Sequence, residues 1–308
     1  MTAAQPATRT AALAVDGIWK RFGDNDAVRD VSFAAEHGQV LGVVGPNGAG
    51  KTTSIRIALG ILAPDRGGVH VLGKPLAQHS QEHIGYLPEE RGLYRGRTIP
   101  DTLAFLGELK GLDRSEALRR ADSWLERFGM APHRSKKVGE LSHGMAQLVQ
   151  FTATLMHDPA LVVLDEPFSS LDPVNVRLIK DVILDLRNEG RALVLCTHQM
   201  HQVEELCDRV VMIDEGTVVL DGSVDEIKRS YRGDTVAVVC DPAPNGLDGV
   251  ADIRKENQTY MMRMLPGTTP RSILQQLLGQ GCEVERFEVV LPSMEDVFVK
   301  VVGSRREE

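Results

Sequence analysis

The sequence has no long hydrophobic run. No apolar stretch approaches the ~20 residues that a helix needs to cross a bilayer. The opening segment MTAAQPATRTAA contains one arginine and no apolar core of the signal-peptide kind, so residues 1–12 are predicted to form a disordered tail. If the protein serves a membrane, we expect the spanning part to belong to another chain.

Cysteine and positive charge are both scarce. The cysteines are Cys196, Cys207, Cys240 and Cys282, and their spacing suits neither a close pair nor a zinc site, which predicts reduced thiols in a cytosolic protein. The chain has 35 lysines and arginines against 43 acidic residues, and its net charge of −8 argues against broad nucleic-acid binding. We therefore expect no nucleic-acid partner.

Short, almost continuous apolar runs mark the first two-thirds of the chain. They are VLGVV at 40–44, LVVL at 161–164 and ALVL at 192–195. Strands that are buried on both faces have this composition, so the runs predict a parallel sheet covered by helices. Helices are predicted at 115–129, 143–157 and 172–190, the last opened by Asp172 and Pro173, and a hairpin is predicted at 210–222.

The character of the sequence changes from about residue 223. A strand is predicted in TVAVVC, a helix in TTPRSILQQLLGQG, a second strand in EVERFEVVL and a short helix in PSMEDVFVKVV. Ser293 and Asp296 have the spacing of a capping box at the start of that helix. These elements predict a small second α/β domain, and it contains no chemical motif.

A phosphate-binding loop follows the first apolar run. VLGVV leads into GPNGAGKTT and then into the helical SIRIALGIL, which is the pattern GxxxxGK[ST] in its strand–loop–helix context. Lys51 is predicted to reach the β- and γ-phosphates, and the Thr52 hydroxyl to ligate Mg²⁺. The alternative is a glycine-rich turn with an exposed lysine. The predicted nucleotide-binding residues of the loop are Gly45, Asn47, Gly48, Ala49, Gly50, Lys51, Thr52 and Thr53.

Polar residues also follow the second and third apolar runs. Asp165 is predicted to hold Mg²⁺ through water, and Glu166 to polarise the water that attacks the γ-phosphate. The alternative is a pair of solvated acids at a strand end. His198 follows the third run and is either a structural hydrogen-bonding group or a γ-phosphate contact. Lys51, Glu166 and His198 are the predicted catalytic residues.

Residues 140–147, ELSHGMAQ, place Ser142 beside His143. One interpretation is that Ser142 is a nucleophile and His143 its base, but adjacent side chains on a helix or strand point in different directions. Ser142 is predicted to cap the helix at 143–157, and a capped N-terminus followed by Gly144 is also an anion-binding site. The sequence contains no Asn-Lys dipeptide, so the guanine-reading motif of GTPases is absent.

Taken in their order along the chain, over about residues 13–225, these motifs resemble those of the ATP-binding subunits of ABC transporters. GPNGAGKTT is similar to the Walker A loop, LVVLDEP to Walker B and its catalytic glutamate, and ELSHGM to the signature LSGGQ. The segment SSLD, which ends at Asp172, resembles the D-loop. His198 in CTH resembles the switch histidine, and Phe22 resembles the aromatic residue that stacks on adenine. IGYLPEERGLY and LPSMEDVF resemble the sodium- and drug-efflux (daunorubicin-type) exporter branch.

The resemblance implies an α/β fold, a P-loop NTPase (RecA-like) core with an antiparallel β subdomain and an α-helical signature subdomain. The ATPase domain would span 13–222, with its helical subdomain at about 90–160, and a small C-terminal α/β domain would span 223–308. Glu89 stands where most of the family has a glutamine that ligates Mg²⁺. In the signature, His143 replaces a glycine and Met145 replaces the terminal glutamine.

The resemblance also implies a mechanism. Two subunits would face head to tail around two ATP molecules with Mg²⁺, and Ser142, Gly144 and Asp172 would contact the nucleotide of the partner subunit. The dimer would lie on the cytoplasmic face of the membrane and drive a separate transmembrane permease. The alternatives are a soluble ABC ATPase that acts outside transport and a regulatory subunit that binds ATP without hydrolysing it.

Overall fold

The computed structural model describes residues 11–90 and 92–306, and the described chain divides after Val224 into two compact units. The predicted tail at 1–12 lies outside the described residues except for its last two. Ala11 and Ala12 are buried in the first strand, so disorder is wrong for these two residues. Their small apolar side chains extend the buried face that Leu13 continues.

The first unit contains an antiparallel sheet, a larger mostly parallel sheet, and helices. In chain order its elements are β1 (Ala11–Phe22), β2 (Asn25–Glu36), β3 (Val40–Val44), α1 (Lys51–Ala58), β4 (Arg66–Val71), β5 (Lys74–Pro75), β6 (Ile84–Leu87), α2 (Ile99–Leu109), α3 (Arg114–Arg127), α4 (His143–Leu155), β7 (Leu161–Asp165), α5 (Pro173–Asn188), β8 (Ala192–Cys196), α6 (Met200–Leu206), β9 (Arg209–Asp214) and β10 (Thr217–Ser223).

The larger sheet has the strand order β10-β9-β3-β8-β7-β6. The strands from β9 to β6 are parallel, and β10 closes the edge as the antiparallel partner of β9 in the predicted hairpin. Every residue of β3, β7 and β8 is buried, which confirms the prediction of strands covered on both faces. Since β8 lies between β3 and β7, the carboxyl ends of these three strands meet at one edge of the sheet.

The antiparallel sheet has the order β2-β1-β4-β5 and shares a core with the larger sheet. Leu13 and Ile18 of β1 and Val31 of β2 belong to the same buried cluster as Val43 of β3 and Val194 of β8. Phe22 pairs with Asn25 at the tip of the β1–β2 hairpin. The hairpin is therefore anchored by its own core residues, and its tip is held at a fixed place beside the phosphate loop.

The predicted helices are confirmed with small shifts at their ends. The segment 115–129 forms α3, followed by Gly129 at φ +66°, and 143–157 forms α4. The helix predicted at 172–190 is α5, which is capped by Asp172 and ends at Asn188. None of the helices in the described ranges combines the length and the apolar character that a bilayer-spanning helix requires.

The second unit is built on the antiparallel sheet β12-β13-β11-β14. Its elements are α7 (Val224–Ser230), β11 (Thr235–Asp241), β12 (Val250–Glu256), β13 (Thr259–Met264), α8 (Pro270–Gly279), β14 (Glu283–Val289) and α9 (Met294–Arg306). The predicted capping box is present, since Asp296 accepts hydrogen bonds from the Ser293 amide and hydroxyl. The core of this unit contains Val238, Met262 and Ile273 among others.

Candidate nucleotide site

The phosphate loop connects β3 to α1 through backbone positions that exclude side chains. A Cβ atom on Gly45 would lie 1.9 Å from the Ile213 carbonyl oxygen, and one on Gly50 would lie 2.4 Å from that of Ala27. Gly50 is also at φ +100°, in the region that glycine adopts most readily. Both glycines are therefore required by the close approach of neighbouring backbone.

Lys51 holds the loop closed around its own ammonium group. Its Nζ atom donates hydrogen bonds to the carbonyl oxygens of Gly45 and Pro46, each at 2.8 Å. The residue is buried and opens α1, whose first turn contains no acidic residue. A cation and the free N–H groups of a helix N-terminus thus face the same space, an arrangement that attracts phosphate.

A cleft of 460 Å³ lies beside the loop and collects most of the predicted residues. The predicted residues that line it are Phe22, Asn47, Gly48, Ala49, Gly50, Lys51, Thr52, Thr53, Glu89, Asp165, Glu166 and His198. Gly45 does not line the cleft, although its carbonyl oxygen accepts a hydrogen bond from Lys51 Nζ. Ser142, Gly144 and Asp172 do not line the cleft of their own chain.

Three lining residues were missed by the sequence reasoning: Asn25, Ala27 and Cys196. Asn25 and Ala27 belong to the β1–β2 hairpin, and no local pattern connects that hairpin with the loop at 45–53. Cys196 is the last residue of β8. The sequence could have predicted Cys196 as a lining residue. It ends a strand next to the phosphate-loop strand, and residues at such strand ends can reach a ligand bound there.

Phe22 offers a ring to this cleft from the tip of the hairpin. It is 50% exposed, and the Lys20 ammonium lies 5.8 Å from the ring centroid. An exposed aromatic ring that borders a polar cleft can stack on a planar base.

Asp165 is buried at the end of β7, where it pairs with Cys196 of β8. Burial raises the pKa of Asp165, Glu89 and Glu166 raise it further, and the Cys196 thiol and Lys51 oppose that rise. Three carboxylates thus share a cleft with one lysine. A divalent cation with oxygen ligands would relieve this excess of negative charge.

Glu166 has its backbone at φ +47° and its carboxylate held by the next strand. One carboxylate oxygen accepts from the His198 amide at 3.0 Å and from His198 Nδ1 at 2.6 Å, and the other accepts from the Thr197 hydroxyl at 3.2 Å. The Glu166 amide itself donates to the Cys196 carbonyl at 2.9 Å. The ends of β7 and β8 therefore fix this carboxylate at the cleft wall, and the histidine is its hydrogen-bonding partner.

The ELSHGMAQ stretch forms the start of α4. Ser142 Oγ accepts from the Met145 amide at 3.3 Å, which confirms the predicted N-cap and turns the hydroxyl towards its own helix. A Cβ on Gly144 would lie 3.4 Å from the Ser170 carbonyl oxygen, so this turn lies against the segment that follows Walker B. Asp172 caps α5 by accepting from the amides of Val174 and Asn175, and these bonds lower its pKa.

Comparison with known proteins places these features in one family. Residues 28–169 match the family model described as ABC transporter, and residues 222–302 match that of the ATP-binding protein DrrA1-3-like, C-terminal domain. The chain is 38% identical over 295 residues to the uncharacterized ABC transporter ATP-binding protein YhaQ of Bacillus subtilis (strain 168), covering 95% of this chain and 99% of that protein.

Two further similarities agree with this. The chain is 32% identical over 307 residues to the Nod factor export ATP-binding protein I of Rhizobium sp. (strain N33), covering 96% of this chain and 98% of that protein. A solved structure of the ATP-binding subunit of an ABC transporter superposes with a TM-score of 0.67 at 28% identity, covering 71% of this chain and 93% of that one. The chain therefore belongs to the ABC transporter ATP-binding proteins, and it is an ATPase with an α/β P-loop NTPase fold.

Proposed function

We propose that this chain powers an exporter of the sodium- and drug-efflux (daunorubicin-type) branch through a separate membrane-spanning permease. The observation that carries the ATPase part is the meeting of Lys51, Asp165 and Glu166 at one cleft. Export is supported by the similarity to a Nod factor export protein over nearly the whole chain. The branch is supported by the match of residues 222–302 to a DrrA1-3-like C-terminal domain. The subunit would work on the cytoplasmic face of the membrane.

The nucleotide would enter with its base against Phe22 and its phosphates against the loop at 45–53. The Lys51 ammonium, now bound to two carbonyl oxygens of the loop, would turn to the β- and γ-phosphates. Mg²⁺ would be held by the Thr52 hydroxyl, Asp165 and Glu89. In the part of the chain that is described, no three His, Cys, Asp or Glu side chains form a metal cluster alone, so phosphate oxygens and water would complete the shell.

Glu166 is the residue proposed to activate the attacking water. Its carboxylate faces the cleft, while hydrogen bonds from Thr197 and His198 fix its direction. A group held in this way can accept a proton from a water beside the γ-phosphate with little reorganisation. His198 would orient Glu166 and reach the γ-phosphate from the same side, since its side chain is 65% exposed.

The signature residues support a head-to-tail homodimer. Ser142, Gly144 and Asp172 do not line the cleft of their own chain. The N-terminus of α4 nevertheless has features that suit anion binding, because it is capped and its first turn contains no acidic residue. We propose that this helix start completes the nucleotide site of a second copy, so that two ATP molecules close the dimer.

The test of the proposed base is Glu166→Gln. We expect it to bind ATP, to hydrolyse it about 100-fold or more slowly than the unchanged protein, and to accumulate as an ATP-bound dimer in size-exclusion chromatography. Glu189→Gln is the matched control, because it makes the same change at a surface carboxylate that pairs with Arg191. Wild-type turnover in Glu166→Gln would remove the assignment.

A regulatory subunit is the second candidate, and two residues favour it. Glu89 adds a carboxylate to a cleft that already contains Asp165 and Glu166, and Met145 has no hydrogen-bonding side chain in the signature. Measured basal ATPase activity with Mg²⁺ distinguishes the two: steady turnover supports the transport motor, and ATP binding without turnover supports the regulatory role.

A further inference from the structure

The C-terminal unit brings two cysteines together that are far apart in the sequence. In the antiparallel pair β11–β14, Cys240 lies opposite Val284 and Asp241 lies opposite Glu283. Cys282 precedes β14 and lies two residues before Val284, so it faces the same side of the sheet as Cys240. Both side chains pack in the same buried cluster of this unit, and Cys282 helps to raise the pKa of the Cys240 thiol. As predicted, both thiols are free, but their spacing in the sequence does not reveal that they are neighbours in the fold.

The surroundings of the pair are apolar and almost closed. Cys240 is 9% exposed and Cys282 is 5% exposed, and both belong to the core of the unit together with Val238, Met262 and Leu277. In the described residues there is no cluster of three or more metal-ligating side chains. Two neighbouring thiols can be oxidised to a disulfide.

The remaining cysteines have different neighbours. Cys196 lies opposite Asp165 in the sheet and lines the nucleotide cleft. Cys207 is packed against Gly42, where a Cβ would lie 3.0 Å from its Sγ atom. These two serve as an internal comparison for any treatment of the chain with an oxidant.

We propose that Cys240 and Cys282 form a modification site that hydrogen peroxide oxidises to a disulfide within the C-terminal unit. One sulfur, as thiolate, attacks the O–O bond of the peroxide and becomes a sulfenic acid, and the hydroxide that leaves takes up the proton of that thiol. The second thiol attacks the sulfenic sulfur, the S–S bond forms, and water leaves. Two thiols lose two electrons in total, and the peroxide is reduced to two waters.

The rate of this oxidation depends on the protonation state of the attacking thiol. Burial and the neighbouring Cys282 raise the pKa of the Cys240 thiol, so this sulfur is mainly protonated at neutral pH. The thiolate is the reactive form, and oxidation is therefore expected to be faster at pH 9 than at pH 7.

The disulfide would join the end of β11 to the start of β14. The closed loop would contain β12, β13 and α8, so the bond would restrict the unfolded chain over most of this unit. We expect the melting temperature of the unit to rise by roughly 10 °C on oxidation. This inference does not depend on the proposed transport function, because no residue of the nucleotide cleft takes part.

Trypsin separates the two cysteines, which makes the bond directly observable. Full-length protein is treated with hydrogen peroxide, alkylated under denaturing conditions and digested. Cleavage after arginine leaves Cys240 in the peptide 233–254 and Cys282 in the peptide 272–286. We expect these two peptides to be linked in a one-to-one adduct that dithiothreitol separates.

The other cysteines share the peptide 192–209, which should keep both thiols alkylated. Cys207→Ser should still yield the adduct, while Cys282→Ser should lose both the adduct and the rise in melting temperature. Unlinked peptides after peroxide treatment, sulfinic acid at either position without a link, or a link between two chains would each overturn the proposal. The peptide map of the unchanged protein decides the question even if Cys282→Ser does not fold.

Discussion

His157 is a buried imidazole beneath the start of β6, and its charge state is set by its neighbours. Its Nε2 atom donates to the Ile84 carbonyl at 3.1 Å, and Lys110 Nζ donates to the same oxygen at 2.9 Å. Burial lowers the pKa of His157 to about 4, and the positive charge of Lys110 acts in the same direction. The folded protein therefore accepts a neutral imidazole here and resists a charged one.

This shift predicts how stability depends on pH. Because the folded pKa of about 4 lies below the unfolded value of 6.5, the unfolded chain takes up a proton first as the pH falls. The free energy of unfolding is then expected to decrease between pH 6.5 and pH 4 by up to about 3 kcal/mol through this residue. His157→Gln, which cannot titrate, should remove that part of the slope in urea unfolding measured at several pH values. An unchanged slope would contradict the assignment.

Individual site residues differ in how readily the sequence predicts them. Lys51, Asp165 and His198 follow short apolar strands, and their roles are suggested by residue type and position together. Asn25 and Ala27 reach the cleft only because a distant hairpin folds against the phosphate loop, and a single sequence contains no local sign of that contact. The roles assigned to the cleft residues remain predictions until variants are measured.

The N-terminus of α4 combines a structural and a proposed functional role, and α2 offers a matched comparison. Ser142 Oγ accepts from the Met145 amide at 3.3 Å, and Thr98 Oγ1 accepts from the Asp101 amide at the same distance. Each hydroxyl is an N-cap, and its removal is expected to cost about 1 kcal/mol of folding free energy. Only Ser142 is proposed to contact a nucleotide.

Ser142→Ala and Thr98→Ala are therefore expected to lower the free energy of unfolding by similar amounts while differing in activity. Loss of a hydrogen bond to a charged phosphate should lower ATPase turnover about tenfold or more in Ser142→Ala. Thr98→Ala should retain turnover near that of the unchanged protein. Equal turnover in the two variants would mean that Ser142 acts only as a cap.

Elements with a strong hydrophobic pattern could be predicted from the sequence. Elements that are strands only because a neighbouring strand pairs with them could not. Strands β3, β7 and β8 are apolar throughout, because both of their faces are buried, and this left no ambiguity. Strand β12 has mostly exposed side chains and the polar sequence VADIRKE, so only its pairing with β13 makes it a strand. Helix bounds shifted by one or two residues because the capping residues stand outside the helical turns.

At the scale of the whole molecule, the proposed head-to-tail dimer makes a prediction that a single chain cannot fulfil. In that dimer Ser142→Ala would damage the signature that one chain contributes to a site, and Glu166→Gln would damage the base that the other chain contributes. In a dimer of one chain of each variant, one site would combine the intact Ser142 and the intact Glu166. The other site would combine Ser142→Ala with Glu166→Gln. An equal mixture of the two variants should therefore recover about a quarter of the wild-type ATPase activity, since half of the dimers are mixed.

The measurement is ATPase activity of each variant alone and of the mixture at equal total protein. A mixture of Glu166→Gln with Thr98→Ala is the control, because Thr98 lies outside the proposed site. Activity of the Ser142→Ala and Glu166→Gln mixture that merely equals the average of the separate variants would show that each site is complete within one chain.

The division into two units was suggested by the change in sequence character near residue 223, close to the boundary at Val224. What the sequence could not supply is any contact between segments that lie far apart, such as Cys240 with Cys282. Such contacts depend on strand register, and register is set by packing across the whole sheet.

The place of β3 in its sheet has a consequence for how the protein is made. Its two neighbours are β8 and β9, which begin at residues 192 and 209, so a nascent chain that stops short of them cannot build the sheet around VLGVV. The phosphate loop emerges from the ribosome early but acquires its final frame late, because its strand depends on contacts of high sequence separation. We therefore expect the growing chain to bind nucleotide only after β9, which ends at Asp214, has been added.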